Sequence, residues 1–121
     1  MEKEESRYSK EAERIVKEKR IVQLNPLDGG PSIFIFLARE KGTHRDHLVT
    51  YNSCDCEFFL FSTILGSGKP CIHMEAYRLA SEKEDFLRIS ARSDDFKQIL
   101  TEVFAYGKSL KLRKLISSRY D

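Results

Sequence analysis

A chain of 121 residues and 14.1 kDa has room for one domain with a small core, which excludes a two-domain enzyme. Hydrophobic residues at 40% and charged residues at 33% suit a folded, soluble protein, and a formal charge of +2 gives no global attraction to nucleic acid or membrane. A domain this small is held by only a few kcal/mol, so an added clamp such as a metal would matter.

Residues 1–24 read as a charged, solvated helix. Seven basic and six acidic residues crowd Met1 to Arg20, leaving Tyr8, Ala12, Ile15 and Val16 as one narrow apolar stripe at helical spacing. These charges leave no apolar core for a secretory leader, and no apolar run is long enough to span a membrane. The prolines and glycines of 25–31 end the helix. Ile33 to Leu37 is too apolar for a strand wetted on one face, which predicts an inner strand covered on both sides. Arg39 to Asp46 then reads as a polar turn, and Leu48 to Tyr51 as the returning strand of a β-hairpin that leads into Cys54.

Six of the eight residues from Phe58 to Leu65 are apolar. They form either a loop tucked into the core or an exposed patch of the kind that partners use. Gly66 to Pro70 is a turn, and Met74 to Glu82 a helix. Phe86 to Ile89 fits a strand or an extended connector. Ser93 reads as the N-cap of a last helix, with Asp94 and Asp95 where the macrodipole favours acids. Phe96, Ile99, Leu100, Val103, Phe104, Gly107 and Leu110 then share one face. Past Gly107 the phase fails, so the helix should break there and leave Leu112, Leu115 and Ile116 facing outward.

The cysteines carry the chemistry. Cys54-x-Cys56 is followed, after fourteen residues, by Cys71-x-His73, and this pattern uses every cysteine in the chain. An odd number of thiols cannot pair off as disulfides, whereas three thiols and a histidine form a recurrent closed ligand set for zinc. In extended chain the side-chain period is two, so Cys54 and Cys56 can reach one ion. Residues two apart on a helix lie about 200° apart, so Cys71 should precede the helix and His73 open it. Zinc with three thiolates leaves a charge of −1, which a helix N-terminus favours. Reduced cysteines fit the cytoplasm, or the nucleus if the source is eukaryotic.

This CxC and CxH pattern resembles the SWIM zinc finger, over about Ile33 to Ala80. Cys71-Ile72-His73-Met74-Glu75-Ala76 reads CxHxxA, similar to the extended form of the Shu-complex SWIM proteins, which pair with RecA/RadA/Rad51-type recombinase paralogues. The resemblance implies an α+β fold: a small zinc-stabilised β-hairpin plus helix over 31–82, flanked by the N-terminal helix and by a C-terminal amphipathic helix and basic tail over 93–121. Ala76 would let the helix approach the hairpin closely. The apolar run after Cys56 departs from the family, in which that stretch is often polar.

The implied work is non-enzymatic: an accessory protein for a recombinase paralogue, acting on single-stranded DNA in homologous-recombination repair. Phe58, Phe59 and Phe61 are the candidate partner surface. Lys108, Lys111, Arg113 and Lys114 fall in a stretch, 108–120, that carries +5 and no acid; they are the candidate DNA contacts, or else a solvated helix end. The alternative is a stand-alone DNA-binding zinc finger of transcription or transposition. No membrane role is expected. Gly66-Ser67-Gly68-Lys69 lacks the glycine spacing and the Ser or Thr of a phosphate loop. His44 and His47 read as surface residues, and helix-start electrostatics accounts for Asp94 and Asp95.

Overall fold

The computed structural model describes residues 8 to 118. Among them the fold is α+β, with five helices and a four-stranded mixed sheet. In chain order the elements are α1 (Lys10–Lys17), β1 (Ile21–Pro26), β2 (Ile33–Phe36), β3 (His47–Leu48), α2 (Glu57–Ile64), α3 (Ile72–Lys83), β4 (Leu87–Ala91), α4 (Ser93–Tyr106) and α5 (Leu110–Ser118). The strand order is β3-β2-β1-β4, antiparallel except between β1 and β4.

The period of two in β2 divides the core. Ile33 and Ile35 join Val22, Leu24, Leu87, Ile89 and Ala91 against Ile99, Val103 and Leu112 of the last two helices. Phe36 faces the other way, with Ile21, towards Ala12, Ile15 and Val16 of α1 and Ala76, Leu79 and Ala80 of α3. The inner, doubly covered strand expected at 33–37 is therefore present, flanked by a helix layer on each face. β4 alternates buried and exposed, as an edge strand packed on one side does.

The expected helix over 1–24 is corrected. Its stripe is real, since Ala12, Ile15 and Val16 are buried and Ser9 caps the helix, but α1 ends at Lys17 and Lys19 adopts a left-handed φ of 61°. Ile21 to Pro26 is a strand, paired on both edges, in which Ile21, Val22 and Leu24 are all but inaccessible. A β-branched run with a ladder on either side buries more apolar surface there than at the end of a solvated helix. Residues 1–7, and Arg119 and Tyr120 of the tail, lie outside the described residues.

The C-terminal expectations divide. The helix does break at Gly107, whose φ of 86° closes α4, and the Arg45 side chain crowds the place where a Cβ would stand. Because the break resets the helical phase, Leu112 turns inward and is fully buried, while Leu115 and Ile116 pack against the same cluster. These three were expected to face outward. Phe104 and Leu110, expected on the buried stripe, are exposed. Nor is Ser93 the N-cap. That position is Arg92, whose side chain makes no cap hydrogen bond, and the Asp28 carboxylate of the β1–β2 loop receives the Ser93 N–H and hydroxyl instead. Those bonds hold the Asp28 pKa below the usual carboxylate range. Its contribution to stability is present above that range and is lost as pH falls through the lowered value.

Asp46 ties the loop between β2 and β3 to the C-terminal helices. It is 1% exposed, and its two oxygens accept from both terminal nitrogens of Arg113 at 2.7 and 2.8 Å and from the N–H groups of Ala38 and Ser109 at 2.9 Å. Arg113 in turn donates to the carbonyls of Ala38 and Ser109. A buried carboxylate with every lone pair used is costly to disturb, since removing either partner leaves the other charge unpaired. Asp46→Ala should lower the unfolding free energy by about 3–5 kcal/mol, read from denaturant unfolding. A loss within about 0.5 kcal/mol would show that the pair contributes nothing.

Candidate metal centre

β3 is only two residues long, and the chain beyond it doubles back at once. The Thr50 N–H donates to the Ser53 carbonyl, Val49 pairs with Cys54 in an isolated bridge, and the Asp55 N–H reaches the Leu48 carbonyl. This knuckle presents Cys54 and then Cys56 in extended backbone, as the spacing predicted. Cys56 is also the N-cap of α2: its sulfur accepts the Phe59 N–H at 3.5 Å. Cys71 repeats the arrangement on α3, accepting the Met74 N–H at 3.4 Å, so His73 falls in the first turn of that helix.

The fourteen-residue spacer is closed locally. Among the residues of α2 only Ser62 is buried, and its hydroxyl accepts the Lys69 N–H at 2.7 Å, folding the 66–69 loop back along the helix. The chain thereby returns to Cys71 within reach of Cys56. The sulfurs of Cys54, Cys56 and Cys71 and a ring nitrogen of His73 all lie within 4.8 Å of one another, with the Cys54 sulfur 3.7 Å from Nδ1 of His73. Zinc bonds of about 2.3 Å to sulfur and about 2.0 Å to nitrogen place tetrahedral ligand atoms roughly 3.5–3.8 Å apart. The set can hold a metal ion and is compatible with zinc.

Electrostatics favours the same reading. The thiols are coupled: a hydrogen bond from Cys54, aided by His73 and the Met74 N–H, pulls the Cys71 pKa down, while that shared proton and burial push Cys54 up. Burial likewise raises Cys56. Thiols crowded this way cannot all ionise without a cation, and the first N–H groups of two helices offset the charge that such a site carries.

His47, expected at the surface, is half-buried against this site. Its ring centre lies 4.6 Å from that of His73, and its Nδ1 lies 2.8 Å from an Asp55 oxygen. The sequence held a signal: period two places His47 on the same face of the strand as Val49, the bridge partner of Cys54. Ala76 is fully buried, in the cluster that joins α3 to α1 and to Phe36 of the hairpin. The small side chain thus serves a helix–helix contact as well as the expected approach to the hairpin.

The three phenylalanines separate. Phe58 and Phe61 are 56% and 57% exposed, alongside Leu60, Ile64 and Leu65, so the stretch after Cys56 is an exposed apolar helix face and not a core loop. Phe59 instead packs inward against the cysteine cluster. Of the four basic residues, Arg113 is consumed by Asp46, Lys108 donates to the carbonyls of Glu40 and Gly42, and Lys111 pairs with Asp95 at 3.3 Å. Lys114 is exposed. Among the described residues no helix is long and apolar enough to cross a membrane. Comparison with family models, with curated proteins and with solved structures finds no match.

Protein purified without chelator should contain one zinc per chain by elemental analysis, and Cys56→Ser or His73→Ala should lose it together with the helical signal of α2 and the start of α3. Much less than one equivalent in the wild type would refute the assignment. Ala76→Leu should cost about 1–3 kcal/mol through overpacking between α3 and α1. An unchanged melting temperature would mark that alanine as incidental.

Proposed function

We propose that this chain is a SWIM-type structural zinc protein that docks a protein partner through the exposed face of α2. The observation that carries the reading is the convergence of the CxC and CxH pairs on one point, with an apolar helix capped by one of the ligands standing beside it. Four protein ligands would leave zinc no open position for water, so the ion would act as a clamp and not as a Lewis acid. Zinc would fix the start of α2, and therefore the direction in which Phe58 and Phe61 project.

By its resemblance to the CxHxxA proteins, the partner is a RecA/RadA/Rad51-type recombinase paralogue, and the setting is repair by homologous recombination, where such proteins act on single-stranded DNA. Aromatic residues grouped on a rigid helix are the usual centre of a protein interface. The reading is non-enzymatic and requires a reducing compartment, such as the cytoplasm or nucleus, to keep three thiols available to the metal. A stand-alone zinc finger that binds DNA through the C-terminal basic run is disfavoured, because Lys108, Lys111 and Arg113 are spent on intramolecular partners.

Co-expression with a recombinase paralogue from the same source tests the proposal. Phe58→Asp with Phe61→Asp should abolish co-purification, with the zinc content and melting temperature of the isolated chain unchanged. Phe59→Asp should lower thermal stability and zinc retention, since that ring packs on the cysteines. If the double variant still binds the paralogue as tightly as the wild type, α2 is not the interface.

A further inference from the structure

We infer that the chain has a second site for a zinc ion, formed by His47, Asp55 and the Cys54 sulfur, so that Cys54 bridges two metals. This second site presupposes zinc at the first and is independent of the partner assigned to α2. Ligand atoms of His47, Cys54 and Asp55 all lie within 4.8 Å of one another, and Cys54 is the residue that this set shares with Cys56, Cys71 and His73.

The fold fixes both added donors. His47 stands opposite Phe36 in the sheet, and its ring centre lies 6.2 Å from that of Phe36 and 4.6 Å from that of His73. Asp55 sits between the first two cysteines, and its N–H is bonded to the carbonyl of Leu48, the residue after His47. Nδ1 of His47 and an Asp55 oxygen are 2.8 Å apart. Zinc bonds of about 2.0 Å to each would place tetrahedral nitrogen and oxygen ligands roughly 3.3 Å apart, so an ion enters after an opening of about half an ångström. It takes the place of the proton between the two atoms, and the ring then carries its proton on Nε2.

Cys54 can serve both ions. A thiolate bound to one zinc keeps lone pairs on sulfur, and this sulfur has a histidine of each set near it, with Nδ1 of His73 at 3.7 Å. His47 is not a fifth ligand of the first ion, whose tetrahedron is complete with four. Charge favours the second ion as well. Three thiolates around one zinc leave a single net negative charge, and the Asp55 carboxylate beside them adds another; a second dication neutralises both. His47, Asp55 and Glu57 line a groove of about 660 Å³, on which Arg45 is the one permanent cation. The groove gives an ion a path from solvent and lets water complete its coordination. With three protein ligands and an open position, this ion exchanges with solution, whereas the closed first site retains its metal.

The test loads the full chain with one equivalent of zinc, dialyses it against free zinc buffered in the micromolar range, and counts metal by elemental analysis. The wild type should hold two zinc ions per chain. His47→Ala and Asp55→Asn should each hold one, and His44→Ala, on the same groove but outside the set, should hold two. Melting temperature before the second loading reports whether each variant is folded. Where His47→Ala disturbs the packing against Phe36, Asp55→Asn, which keeps the backbone bond to Leu48, must still lose the second ion. Cobalt(II) added to the one-zinc chain identifies the sulfur: it should give a near-ultraviolet sulfur-to-cobalt charge-transfer band, with no zinc released to a chromophoric indicator and no band in Asp55→Asn.

One zinc per chain in the wild type at micromolar free zinc would overturn the proposal and leave His47 and Asp55 as a hydrogen-bonded pair. Two in Asp55→Asn would overturn it too, as adventitious zinc elsewhere on the surface. Cobalt bound without the charge-transfer band would remove Cys54 from the second site, and the bridge with it. A chain that takes up no zinc at all would refute both sites, a failure already visible at the first equivalent.

Discussion

The segment from Val49 to Cys71 has almost no core of its own; apart from backbone pairing at Val49 and Asp55 and the Arg78–Tyr51 and His47–Asp55 bonds, it is held by the cluster of Cys54, Cys56, Cys71 and His73. α2 buries only Ser62, makes no extensive packing with any other helix or strand, and with its C-cap Leu65 leaves five large apolar side chains exposed. What connects it to the rest of the molecule is the Cys54, Cys56, Cys71 and His73 cluster, together with Phe59 and Met74 packed around the sulfurs. A hydrophobic core weakens gradually as its packing loosens, whereas a metal site with four ligands is present or absent as a unit. The position of α2, and everything that depends on its exposed face, is thus tied to one centre.

That centre is built where helices begin. Two of the three cysteines act as N-caps, so the same sulfurs that converge on one point also satisfy N–H groups that each helix would otherwise leave unpaired. Folding and ligand geometry are therefore one constraint. A second device secures the β2–β3 loop and the start of α5: the fully used Asp46 carboxylate. Lys41 and Arg45 belong to the loop that this anchor holds in place beside α1.

Basic residues in this chain sort by what they touch, not by where they cluster in sequence. The run after Gly107 is basic with no acid in it, yet Lys108, Lys111 and Arg113 are turned to carbonyls and carboxylates of the fold. Arg14, Lys41 and Arg45 are scattered along the chain and form no motif, but the packing of α1 beside the β2–β3 loop sets them around one cavity. A charge paired within the fold is a structural element.

The sequence alone determined the features that rest on local spacing. An unbroken apolar run made β2 an inner strand, and period two set Cys54 and Cys56 to one side; the 100° step of a helix required Cys71 to stand before α3 and His73 to open it; Gly107 marked the break. Only the tertiary structure decided which apolar groups were buried and which charges were free. Ile21 to Leu24 became a central strand because two partner strands, β2 and β4, were available to it, and β4 arrives more than sixty residues later. Leu112 turned inward because a left-handed residue reset the helical phase by an amount that no periodic pattern carries, and Phe58 stayed outside because the sheet's two faces were already covered by other helices. Spacing is a property of neighbours in the chain, whereas burial and pairing are settled by competition among all segments for the same limited interior.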